Sequence, residues 1–132
     1  IMVCSQTPTE ALVREWQEQE LDGYLFAIAG QECGTKSEHI QYCSDQDRYR
    51  KACMLMIGDA YGDLKAARAN GALFFPINPG DEDVSWERFY REGLDRFLNG
   101  TFAGEYEDAL IREFEAYLPD TPPWKQGAAA SA

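Results

Sequence analysis

Cys53-Met54-Leu55-Met56-Ile57 is apolar at every position. A half-exposed strand alternates apolar and polar residues, so an unbroken apolar run points to a strand covered on both faces, as in a parallel sheet. A chain built around such a strand needs helices above and below it, and the neighbouring segments supply them in order. Ile1-Met2-Val3-Cys4 is a short apolar run, expected to be a strand from the middle of a domain, and Ser5 ends it. Thr7-Pro8-Thr9-Glu10 predicts a helix start, with Thr7 as cap, Pro8 in the first position and Glu10 closing a capping box. Leu12, Val13, Trp16 and Leu21 give that helix an apolar stripe, and Asp22-Gly23 ends it. Residues 24–29 read as a buried strand, 30–35 as a glycine-rich loop and 36–50 as a more polar helix.

After the central run, residues 58–63 form a turn and 64–70 an alanine-rich helix stopped by Gly71. Residues 72–77 form a further strand, closed by Asn78-Pro79-Gly80. Strand and helix in alternation predict right-handed βαβ crossovers and an α/β layered domain. Beyond Gly80, Val84, Trp86, Phe89, Leu94 and Phe97 mark one amphipathic helix, and Tyr106, Leu110, Ile111, Phe114 and Leu118 another. Both are expected to cover the sheet. Residues 1–80 therefore read as the core, 81–118 as covering helices of the same domain and 119–132 as an extended tail.

Composition removes several function classes. A net charge of -11 disfavours nucleic-acid binding, because such a surface repels phosphate backbones. No apolar run approaches the ~20 residues of a membrane helix, so a soluble chain is expected. Cys4, Cys33, Cys43 and Cys53 form no CxxC pair, and with a single histidine in the chain a zinc site is not expected. Reduced thiols and a cytoplasmic setting fit this pattern.

In open parallel sheets, ligands collect at the carboxyl ends of the strands. The polar residues there are Ser5 after the first strand, Lys36 after the second, and Asp59 and Asp63 after the third. Two carboxylates four positions apart on one loop can face a single hard cation, and magnesium takes oxygen ligands while keeping several waters. Asp63 can equally cap the helix behind it, with Asp59 as a turn former. Lys36 stands at a helix start, where the helix dipole disfavours a cation, so its position points to a functional reason.

Ile57-Gly58-Asp59 to Asp63, followed by Ala66-Ala67-Arg68-Ala69-Asn70-Gly71-Ala72, resembles the fourth motif of the haloacid dehalogenase superfamily. Gly34-Thr35-Lys36 resembles its third motif and Val3-Cys4-Ser5 its second. The likeness spans residues 1 to about 80, in order. It implies a Rossmann-like three-layer core and a magnesium-dependent phosphatase-type hydrolase acting on a small phosphorylated substrate. Ser5 would bind a phosphoryl oxygen, Lys36 would neutralise the phosphoryl group and the attacking carboxylate, and Asp59 and Asp63 would hold Mg2+. Such positioning is what phosphoryl transfer needs.

The family's nucleophile, the first Asp of a DxD motif on the central strand, has no counterpart before Ser5. Asp81-Glu82-Asp83-Val84-Ser85 has the letters of that motif but follows a turn, and reads as an acidic helix start. The chain is therefore expected to be inactive alone and to lack the central strand. A missing N-terminal segment of the same protein, or a second copy of the chain, is expected to fill that place. Two other classes fit the residues: a non-catalytic metal- or phosphate-binding module, and an unrelated magnesium-binding α/β domain of receiver-like or Toprim-like type.

Overall fold

The computed structural model describes residues 1–45 and 53–120. The end of the second expected helix and most of the expected tail lie outside the described residues. The chain is mixed α/β, and the four strands among the described residues form two parallel pairs. Strand β1 (Met2–Cys4) pairs with β2 (Ala27–Ala29), Val3 lying opposite Ile28. Strand β3 (Leu55–Gly58) pairs with β4 (Leu73–Pro76), Met56 lying opposite Phe74. No ladder joins β1 to β3 among the described residues, so the strands do not close into one sheet.

Helix α1 (Thr9–Glu18) connects the first pair and buries Leu12 against it. It does not start on the expected box. Pro8 is the cap residue, in an extended conformation, which leaves Thr7 outside the helix with its carbonyl accepting Gln31 N–H at 3.0 Å. The first helical amide, Thr9 N–H, instead donates to the Glu32 carboxylate at 2.9 Å. The strand expected over residues 24–29 shortens to three residues, because Asp22–Tyr24 forms a 3-10 turn.

Helix α2 (Lys36–Asp45) packs on α3 (Tyr61–Asn70), the crossover between β3 and β4. The α3 helix ends at Gly71, whose φ of 68° is the left-handed cap that glycine favours. Helix α4 (Glu82–Arg88) follows β4, and a π segment, Phe89–Gly93, joins it to α5 (Leu94–Leu98). The last described helix is α6 (Glu105–Tyr117).

The β3–β4 pair is covered on both faces, as its apolar run demands. Phe74, Leu64, Ala67, Ile111 and Phe114 pack on one face. Phe75, Ile77, Phe102 and Leu110 pack on the other, joined by Phe89 and Phe97. Gly93 lets the π segment sit directly on Phe75, since a Cβ there would lie 2.8 Å from the ring. Helix α6 contributes to both clusters and so wraps the outer edge of β4. There Glu107 accepts Phe74 N–H at 2.9 Å, satisfying an edge amide that would otherwise invite another strand. Asp81, Glu82 and Asp83 begin α4 as expected, and Asp81 accepts the Tyr117 hydroxyl. Among the described residues no helix is long and apolar enough to cross a membrane.

Candidate functional site

The strand β3 ends on Gly58, and the next residues turn directly into α3. Gly58 serves close approach rather than a sharp backbone turn. A Cβ at Gly58 would lie 2.4 Å from Asp63 Oδ2 and 2.6 Å from Asp63 Cβ, so only glycine lets the acid fold back against the strand. That contact buries Asp63 to 2% exposure.

A carboxylate so buried needs partners. Lys36 Nζ donates to Asp63 Oδ1, and Ala60 N–H donates to Oδ2 at 3.2 Å. Helix α3 begins at Tyr61 rather than behind Asp63, so Asp63 does not cap it from outside but reaches back from its first turn to Ala60 N–H while also holding the lysine. Lys36 reaches it from the first turn of α2, its side chain 26% exposed. The dipole that disfavours a cation there is offset locally by a capping box. Thr35 N–H donates to Glu38 Oε2 at 2.7 Å, and Glu38 N–H donates to Thr35 Oγ1 at 3.2 Å. The Thr35 bonds hold the Glu38 carboxyl below its ordinary range.

Cys4, at the end of β1, adjoins this pair. Burial pushes its thiol up to about 11, with Cys43 and Asp63 adding to the rise and Lys36 opposing it. The carboxyl ends of β1, β2 and β3 thus meet near the Lys36–Asp63 pair. Ser5 is nearby in sequence, but its hydroxyl accepts Thr7 N–H at 3.1 Å and serves a local turn. Its only described side-chain bond is that one. Asp59 is exposed and forms no described hydrogen bond or ion pair. It lines a separate cleft of ≈ 290 Å³ with Glu82 and Trp86, between the ends of β3 and β4. Of the four residues singled out from sequence, Lys36 and Asp63 are brought into contact, and no described side-chain bond joins Ser5 or Asp59 to them.

Magnesium fits these donors only in part. Asp59 is free to ligate, whereas each Asp63 oxygen already accepts one hydrogen bond and the side chain is buried to 2% exposure. Among the described residues no group of three or more His, Cys, Asp or Glu is arranged to hold a metal. His39 is the residue that sequence reasoning passed over. It is 6% exposed on α2, and its Nε2–H donates to the Cys33 carbonyl at 3.0 Å. The spacing of Lys36, His39, Ile40 and Cys43 on one helical face was the available signal.

No family model, curated protein or solved structure matches this chain. The residues themselves therefore carry the functional reading.

Proposed function

We propose that this chain is part of a magnesium-dependent phosphatase-type hydrolase of the haloacid dehalogenase kind, with a Rossmann-like core, acting on a small phosphorylated substrate. What supports the reading most is the contact between Lys36 and Asp63 at the carboxyl ends of parallel strands. A cation and a buried acid at that place suit the binding of a phosphoryl group. In this reading Lys36 receives the phosphoryl charge, Ser5 turns its hydroxyl to a phosphoryl oxygen, and Asp59 and Asp63 hold the metal. The metal supplies charge neutralisation, and the nucleophile comes from outside this chain.

The test has two arms. The chain with magnesium should not hydrolyse p-nitrophenyl phosphate above background. Magnesium together with inorganic phosphate should raise its melting temperature, and Asp59→Asn should remove that rise. Turnover abolished by Asp59→Asn would show that the chain carries its own nucleophile, with Asp81 and Asp83 the first suspects. A second reading, a binding module in which the Lys36–Asp63 pair is a structural latch, is favoured by the bonds that buried Asp63 already makes to Lys36 and Ala60. Phosphate stabilisation that does not depend on magnesium selects it.

A further inference from the structure

Helix α4, the π segment and α5 follow one another without a break from Glu82 to Leu98. Ser85, Phe89, Gly93 and Phe97 form their inner side. Ser85 is buried, Gly93 sits on Phe75, and both phenylalanines pack in the core. One residue further on in each case, Trp86, Tyr90, Leu94 and Leu98 are 50%, 80%, 37% and 70% exposed. Both sets step by four. In an uninterrupted α-helix a step of four overshoots the turn by roughly 40°, so three steps would carry the last residue about 120° round the axis. A π segment closes i→i+5 rings, so its turn takes up one more residue and cancels about 100° of that drift. The segment Phe89–Gly93 therefore holds the inner four on the core and aligns the outer four as one straight apolar stripe.

The other two sides of this helix are polar, and they differ. Arg88, Glu92 and Arg96 face α6. Arg88 donates to Glu113 at 2.7 Å, the Tyr106 hydroxyl donates to Glu92 at 3.1 Å, and Arg96 lies over the Tyr106 ring. Glu87, Arg91 and Asp95 flank the stripe on the side away from the core, and all three are exposed. Arg91 pairs with Glu87 at 2.8 Å, while Asp95 has no ion pair among the described residues.

We infer that this stripe is the contact face between two copies of the chain, paired antiparallel about a two-fold axis. The stripes then interleave, and the two charged flanks fall on the same side of the contact. Arg91 of each copy meets Asp95 of the other, so the symmetry makes two ion pairs from one. A membrane surface suits the stripe less. Interfacial helices carry Lys and Arg on the polar face, whereas this flank sets one cation between two acids on a chain of net charge -11. The four side chains offer roughly 500 Å² of apolar surface, near the upper end of the patches that monomers expose. With the charged flank added, the contact approaches the about 800 Å² per partner of a standard interface. A Kd on the order of 10 μM suits a contact of that size without deep pockets.

The test is sedimentation of the whole chain from about 1 to 300 μM, at about 0.15 M salt so that repulsion between distant charges is screened. Neither magnesium nor phosphate is present, so the result is separate from the hydrolase reading. A monomer–dimer equilibrium is expected. Tyr90→Glu and Leu98→Glu should each weaken it at least about tenfold. The melting temperature of the dilute chain should not change, because both side chains face solvent. Arg91→Asp and Asp95→Arg should each weaken the dimer, the two changes in one chain should restore it, and a mixture of the two single variants should form a heterodimer. A chain that stays monomeric over the whole range would overturn the inference, as would a dimer indifferent to the stripe substitutions. Single charge variants that weaken the dimer without rescue by the exchange would overturn the antiparallel arrangement. A monomer that partitions onto phosphatidylcholine vesicles through Tyr90 and Leu98 would overturn it in favour of a membrane surface.

Discussion

Replacing Lys36 by methionine keeps most of the side-chain volume and removes the cation that faces Asp63. At an effective dielectric of ~20, unit charges about 3 Å apart attract by roughly 5–6 kcal/mol, much of it offset by desolvation. Deleting one member of a buried pair costs about 3–5 kcal/mol, because the remaining charge is left without a partner. Asp63 is 2% exposed, but Lys36 is 26% exposed. Solvent at the lysine lowers the expected cost of Lys36→Met to about 2–3 kcal/mol. The loss lies in the stranded carboxylate, so it should depend on that carboxylate. In an Asp63→Asn background the side chain is neutral and its oxygen can still accept Ala60 N–H. There Lys36→Met should cost under about 1 kcal/mol. Urea unfolding followed by far-UV circular dichroism measures all four variants, provided the slope is common to them. A cost under about 0.5 kcal/mol in the parent chain, or an equal cost in both backgrounds, would refute the account.

Gly58→Ala should destabilise by about 1–3 kcal/mol, because the new methyl meets Asp63 at backbone-fixed positions. Asp63→Ala should not rescue it, since the Asp63 Cβ itself lies 2.6 Å away; a melting series checks both points. The Thr9 hydroxyl, and then the Thr9 backbone N–H, hold the Glu32 carboxyl below its ordinary 4.5. A depressed folded-state value contributes stability above the unfolded value, lost as pH falls through the folded one. The deficit of Glu32→Gln should therefore be present at neutral pH and vanish in acid below 4.5. A deficit that is constant with pH would remove the carboxylate from the explanation.

The strands that bury both faces were legible because their residues say so. Leu55, Met56, Phe74 and Phe75 are apolar in succession, and both faces are packed. Helix starts were less legible. Thr7-x-x-Glu10 and Thr35-x-x-Glu38 carry the same letters, yet only the second forms a capping box. The difference lies just outside the helix, where Ser5 Oγ takes the Thr7 N–H that a Thr7–Glu10 box would have closed, while Glu32 takes Thr9 N–H. Lys36 stood out in the sequence because a helix start is an unfavourable place for a cation, but its bond to Asp63 was not legible there. Asp59 and Asp63 could not be separated by sequence, since burial of Asp63 depends on how closely α3 folds back on Gly58. The division into two strand pairs was not written in any strand. A strand's residues record that its faces are covered, not which neighbour lies along each edge.

That division has a consequence for how the chain acquires its structure. Met2 meets Ala27 through one short crossover, and Leu55 meets Leu73 through another, so each pair closes within its own stretch of sequence. Local closure is fast, because little chain entropy is lost before the contact forms. Joining the two pairs falls to later contacts, α2 on α3 and Lys36 on Asp63. The expected order is two independent nucleation events followed by a docking step, and stopped-flow refolding of Lys36→Met examines it. Slowing of the last phase alone fits that order, whereas a uniform slowing would mean that the pairs form together.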